Sequence, residues 1–190
     1  MTRLGPDFDR AFQYAHDLHR DQQRKETTIP YLSHLMSAAS LVLEAGGDEE
    51  QAIAALLHDA AEDQGGQSTL DEIRVRFGDR VANIVDACTD TVEEPKPEWR
   101  ERKEQYLAHL QTADQDALLV SCADKLHNAR SILSDYRTHG DALWQRFTAP
   151  VDGQLWYYRS LTDVFQERLD NPLAEELRRT VNELVAAVEN

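Results

Sequence analysis

Four ionisable side chains, His58, Asp59, Glu62 and Asp63, stand in a stretch that is otherwise apolar, directly after Ala52-Ile53-Ala54-Ala55-Leu56-Leu57. Glycine and proline are absent from Gln51 to Gln64 and Gly65-Gly66 follows, so the stretch reads as one helix with a glycine stop. Its apolar residues run all round, as in a buried helix. An imidazole beside a carboxylate inside a core is costly unless a third group pairs with both, and a bound cation is such a group. Helical spacing sets His58 over Glu62 and Asp59 over Asp63, so a His-Asp ligand pair would adjoin two carboxylates able to act on water. Two further residues extend the set. His34 falls in the first turn of the preceding helix, where a lone histidine is ordinarily a cap or a packing residue; its place just before the His-Asp helix makes it a candidate ligand. Asp124 follows the apolar run from Ala117 to Ala123, shares a face with Asn128, and is either ion-paired or a ligand. Two imidazoles and two carboxylates suit a divalent ion such as Mn²⁺, Fe²⁺ or Zn²⁺.

Helices must position these groups. Apolar periodicity predicts helices from Pro6 to about Gln22 (inward stripe Phe8, Ala11, Phe12, Ala15, Leu18), from Ser33 to Ala45, and through the His-Asp stretch. Thr69-Leu70-Asp71-Glu72 fits a capping box opening a short helix stopped at Gly78, and Asp79 to Thr89 follows as another. Helices are also expected from Glu98 to about Leu110, around Ala117 to Arg130, and over 140–147, 150–169 and 172–188, with Trp156-Tyr157-Tyr158 in the middle one of the last three. The prolines of 91–97 and the threonines and Pro30 of 22–31 mark loops. Arg24 and Lys25 begin the second loop, and taken alone they read as a solvated surface pair. His16 and His19, three apart with no further ligand, read as structural or solvent-facing. No convincing strand or repeat appears, so the expected fold is an all-α, multi-helix bundle forming a single domain over 1–190.

Composition narrows the class. A formal charge of −15 repels nucleic acid and anionic membranes, so a polyanionic partner needs a local basic pocket. No apolar run reaches about 18 residues, and the first residues lack a signal-peptide core, which predicts a cytoplasmic protein. Cys88 and Cys122 lie in apolar helical patterns and are expected to be buried, reduced thiols.

Together these motifs resemble the HD-domain metal-dependent phosphohydrolases, and within them the hydrolase domain of RelA/SpoT-type enzymes and the stand-alone small alarmone hydrolases. The shared motifs stand here as Arg24-Lys25, Pro30-Tyr31-Leu32-Ser33-His34, Ala54-Ala55-Leu56-Leu57-His58-Asp59-Ala60-Ala61-Glu62-Asp63, Phe77-Gly78-Asp79-Arg80-Val81 and Ala123-Asp124-Lys125-Leu126-His127-Asn128, within residues 8–165. The resemblance implies hydrolysis of the 3′-pyrophosphate of guanosine tetra- or pentaphosphate, with Mn²⁺ held by His34, His58, Asp59 and Asp124, and Glu62 and Asp63 acting on water. It assigns Arg24, Lys25 and Asn128 to the nucleotide, with Lys96, Lys125 and Tyr157 as further substrate candidates. Leu35 stands where the family often has proline, and the loop from Lys25 to Pro30 lacks the family's glycine. HD sites also serve other nucleotides, such as nucleoside monophosphates or NADPH, and a non-catalytic helical nucleotide-binding protein is the alternative of a different class.

Overall fold

The computed structural model describes residues 2–91 and 95–189, so Val92, Glu93 and Glu94, the middle of the loop expected over 91–97, lie outside the described residues. Among the described residues the regular elements are helices, joined by one isolated antiparallel bridge between Gln23 and Pro30. The all-α expectation therefore holds.

Helix α3 (Glu49–Leu57) is the axis of the bundle. Asp48 caps it by accepting from the Gln51 amide while the Gln51 side chain accepts from the Asp48 amide, a reciprocal capping box. From Ala52 to Leu57 every residue is buried, because α1 (Pro6–Leu18), α2 (Leu32–Glu44), α6 (Asp79–Cys88) and α8 (Gln115–His139) pack around it. Alanines at three of those positions let the neighbours approach closely. Helix α8, 25 residues long, runs well past the expected Arg130 and ends at Gly140, whose φ of 57° favours glycine. Helices α9 (Val151–Arg168) and α10 (Pro172–Glu189) close its far side, and α7 (Trp99–Leu110) leans on α9.

Several expectations need correction. The stretch 51–64 is not one helix: it breaks at His58-Asp59 and resumes as α4 (Ala60–Asp63). Consecutive residues of a regular helix point about 100° apart. The break instead lets the two side chains converge. Helix α1 ends at Leu18, and Phe12 faces solvent while Tyr14 is buried. Thr69 and Glu72 form no capping box, because the Gly65-Gly66 turn starts α5 (Gln67–Phe77) earlier; Thr69 instead donates to the Gln64 carbonyl. The segment 140–147 is a 3₁₀ helix, Gly140–Arg146. In the loop before α2, Glu26 takes φ 56° in the stretch where the family's glycine is absent.

Cys88 and Cys122 are buried free thiols, as expected. No helix among the described residues is long and apolar enough to cross a membrane.

Candidate metal centre and its cavity

The break between α3 and α4 aims His58 and Asp59 at the crossing of α2 and α8. The Nδ1 of His58 lies 2.8 Å from the Ala55 carbonyl, which can only accept, so Nδ1 carries the proton and Nε2 presents its lone pair. That lone pair lies 3.0 Å from Asp59 Oδ2 and 3.5 Å from Asp124 Oδ1. The Nε2 of His34 lies 3.1 Å from Asp124 Oδ1 and 3.6 Å from Asp59 Oδ2. Both Nε2 atoms are buried without a hydrogen-bond partner. Ligand atoms of His34, His58 and Asp59 fall within 4.8 Å of one another. Lone pairs that face carboxylate oxygens in a dry site repel them unless positive charge lies between, and two imidazole nitrogens with carboxylate oxygens match the donors of a borderline divalent ion. The residues present fit such an ion.

The electrostatics make the same demand. Burial works against a charged His58, yet Asp59 and Asp124 hold its pKa well above the usual imidazole value. Burial would likewise raise the two carboxyls, but His58 and His34 at Asp59, and Lys125 and His58 at Asp124, hold both well below the usual range.

In front of the cluster lies a cavity of about 740 Å³. The His and Asp residues stand one layer behind its wall, and four wall residues each bond one of them. Tyr31 donates to Asp59 Oδ2 at 2.5 Å, with its phenol pushed up by burial and by Asp59 so that it stays a donor. His127 meets His34 Nδ1 to Nδ1 at 2.7 Å. Lys125 and Asn128 reach Asp124 at 2.5 and 2.6 Å. The rest of the lining includes Arg24, Lys25, Lys103, Arg130 and Arg146, with Trp99, Phe147, Tyr157 and Tyr158 as aromatic surface. A chain of charge −15 thus gathers six cations around one cavity, four of them in ion pairs (Lys103 with Asp90, Lys125 with Asp124, Arg130 with Glu176, Arg146 with Asp135), which leaves Arg24 and Lys25 as its least compensated positive charge for a polyanionic ligand.

Glu62 and Asp63 flank the cluster from α4. Glu62 accepts from Lys96 Nζ at 3.0 Å and from the Asp90 amide at 3.2 Å. Asp63 accepts from Gln22 Nε2 at 2.7 Å, and its pKa is raised by burial and by the nearby Asp59. Gln22 in turn bonds His19 Nδ1 at 2.7 Å, so buried His19 has a structural place behind the acidic pair, while His16 stays partly exposed.

The sequence-derived ligand set, His34, His58, Asp59 and Asp124, is therefore brought together. Arg24, Lys25, Lys125, Asn128 and Tyr157 line the cavity, and Arg24 donates to Asn128 at 2.9 Å. Lys96 does not line it; it pairs with Glu62. Sequence reasoning missed the contacts of Tyr31 and His127 with the cluster, although both lie inside motifs it singled out. It also missed Lys103, which pairs with Asp90 at 3.0 Å and stands 5.1 Å over the Tyr157 ring. Burial and the neighbouring Lys125 lower the Lys103 pKa, against the pull of Asp90. Its place on a largely polar helix gave no signal.

The fold and this centre define an HD-type protein, and the chain belongs to the HD domain family, whose profile matches residues 11–153. Among its relatives, guanosine-3′,5′-bis(diphosphate) 3′-pyrophosphohydrolase MESH1 of Xenopus tropicalis is 38% identical over 125 residues, which cover 64% of this chain and 67% of that protein. A guanosine-3′,5′-bis(diphosphate) 3′-pyrophosphohydrolase of Aquifex aeolicus is 37% identical over 129 residues, 66% of this chain but only 18% of that longer protein. Among solved structures, a metazoan orthologue of SpoT described as hydrolysing ppGpp superposes with a TM-score of 0.76 at 26% identity, covering 96% of this chain and 98% of its own.

Proposed function

We propose that the protein is a metal-dependent hydrolase that removes the 3′-pyrophosphate of guanosine tetra- or pentaphosphate, giving GDP or GTP and pyrophosphate. The observation that carries this reading is the pair of buried, unpartnered imidazole nitrogens facing two carboxylates directly behind a cation-lined cavity. The relatives' activity supports the choice of substrate.

In this reading His34, His58, Asp59 and Asp124 hold one divalent ion, for which Mn²⁺ is the choice the family resemblance favours. Such an ion acidifies water and draws charge from a phosphoryl oxygen. Asp63, with its raised pKa, and Glu62 accept the proton of the attacking water, a role that suits carboxylates adjoining the ligand set. Tyr31, Asn128 and Lys125 hold the ligand carboxylates in place by the bonds described above. Arg24 and Lys25 bind the nucleotide, with Asn128 beside Arg24. Lys125, Lys103 and the Tyr157 hydroxyl, which is buried without a partner, receive the diphosphate. Lys96 steadies Glu62 from outside the cavity. Water attack on the phosphorus nearest the ribose breaks its bond to the 3′ oxygen, and the diphosphate leaves whole.

³¹P NMR of guanosine tetraphosphate incubated with the Mn²⁺-loaded protein tests this directly. Pyrophosphate is the expected first product. Orthophosphate as the first product, or faster turnover of another nucleotide in a panel that includes NADPH and nucleoside monophosphates, would replace the reading with that of a broader nucleotide phosphatase.

A further inference from the structure

We propose that His127 is a positioning residue of the metal centre: by accepting the Nδ1 proton of His34, it fixes which nitrogen of that ring faces the ion. The inference rests on the metal-site reading above.

The two rings approach Nδ1 to Nδ1 at 2.7 Å, so one nitrogen must carry a proton and the other its lone pair. On His34 the opposite nitrogen, Nε2, is buried and faces Asp124 and Asp59 at 3.1 and 3.6 Å. A nitrogen that ligates a cation must offer its lone pair, which leaves the single proton of that ring on Nδ1. His34 is then the donor and His127 the acceptor. The proton of His127 accordingly sits on Nε2, which leaves this cavity-lining ring one N–H donor.

The two histidine ligands reach the same tautomer by different means. His58 donates to a backbone carbonyl, that of Ala55, which no side-chain substitution removes. His34 depends on a side chain contributed by another helix, 93 residues away in sequence. Tyr31 also contacts the His34 ring, edge-on at 5.5 Å between centroids, but it spends its hydroxyl on Asp59 and offers Nδ1 no acceptor. The orientation of this ligand therefore hangs on His127.

Calorimetric titration of the chelated, metal-free protein with Mn²⁺ tests the assignment without relying on turnover. His127→Phe keeps a ring but removes the acceptor, and His127→Leu serves as a second variant should the first fold poorly. Loss of such an outer partner weakens metal affinity by about 10–100-fold. His127→Gln, whose carbonyl can accept while its amide donates, is expected to recover most of that loss. A purely structural role would lower the melting temperature of the metal-free variants and would not separate Gln from Phe. The positioning role leaves those melting temperatures near wild type, and at saturating Mn²⁺ it returns much of kcat. Equal Mn²⁺ affinity in wild type and in a folded Phe or Leu variant overturns the inference alone. Failure of the wild type to take up an ion would overturn the metal-site reading and this inference with it.

Discussion

Two of the places in this molecule where acids and bases meet, the α8 to α10 seam and the His-Asp cluster, do different work. Along the α8 to α10 seam, Arg130 pairs with Glu176 and Arg137 with Glu183, with both partners of the second pair about 60% exposed. At the candidate metal centre, the side chains of His34, His58 and Asp124 are no more than 6% exposed. Water solvates the seam charges whether or not they touch, so each pair adds little. Little water reaches those three side chains, Asp59 beside them being 18% exposed, and the charges must be satisfied chiefly by one another, by a proton or by an ion. Acids and bases thus add little where water solvates them and create a demand for a cation where they are buried.

The largest effects should follow from attacking that demand. Asp59→Asn or His58→Ala is expected to lose both the bound ion and all measurable turnover, read by elemental analysis alongside the assay; thorough chelation of the wild type should do the same. Activity that survives in chelated protein would erase the contrast between the two regions. Next, Glu62→Gln should keep the ion and lose turnover by about 10²–10⁴-fold, the usual cost of a missing general base. If metal is lost instead and turnover returns on reloading, Glu62 belongs to the ligand support and Asp63 is the base. Arg24→Ala and Lys25→Ala should raise KM with the ion retained, each by the equivalent of a charged hydrogen bond, about 1.5–3 kcal/mol. An unchanged KM in the double variant would remove the nucleotide from that side of the cavity. The smallest effect is expected at the seam: Arg137→Ala should move the melting temperature by about 1–2 °C at most and leave turnover untouched. A large loss there would show that exposed pairs do more in this fold than their exposure allows.

The gathering of the candidate ligands was legible because His58 and Asp59 break a rule visible in one dimension. Charged residues closing a run as apolar as Ala52 to Leu57 require a partner, and His34 and Asp124 stood near comparable runs. The helix break at His58-Asp59 was hidden, since no glycine or proline marks it. His127 carried no signal of its own within its motif, because its contact with His34 depends on where α8 crosses α2. Lys103 sits on an exposed-looking helix whose polar pattern conceals a side chain turned toward Asp90 and the cavity. Phe12 and Tyr14 were exchanged because helical periodicity fixes the width of an inward stripe better than its rotation. The apparent capping box at Thr69 failed for a local reason, as two preceding glycines offered an earlier start.

The alanines of α3 have a consequence for how such a sequence can drift. Ala52, Ala54 and Ala55 have no exposed surface, and four helices close on them; two of those helices, α2 and α8, carry His34 and Asp124. A larger side chain at any of the three must push one of those helices outward. Overpacking of this kind usually costs about 1–3 kcal/mol, but here part of the displacement would reach the ligand geometry as well. Variation that the seam and the cavity rim can absorb is therefore closed to the central helix, where its smallest residues allow the least change.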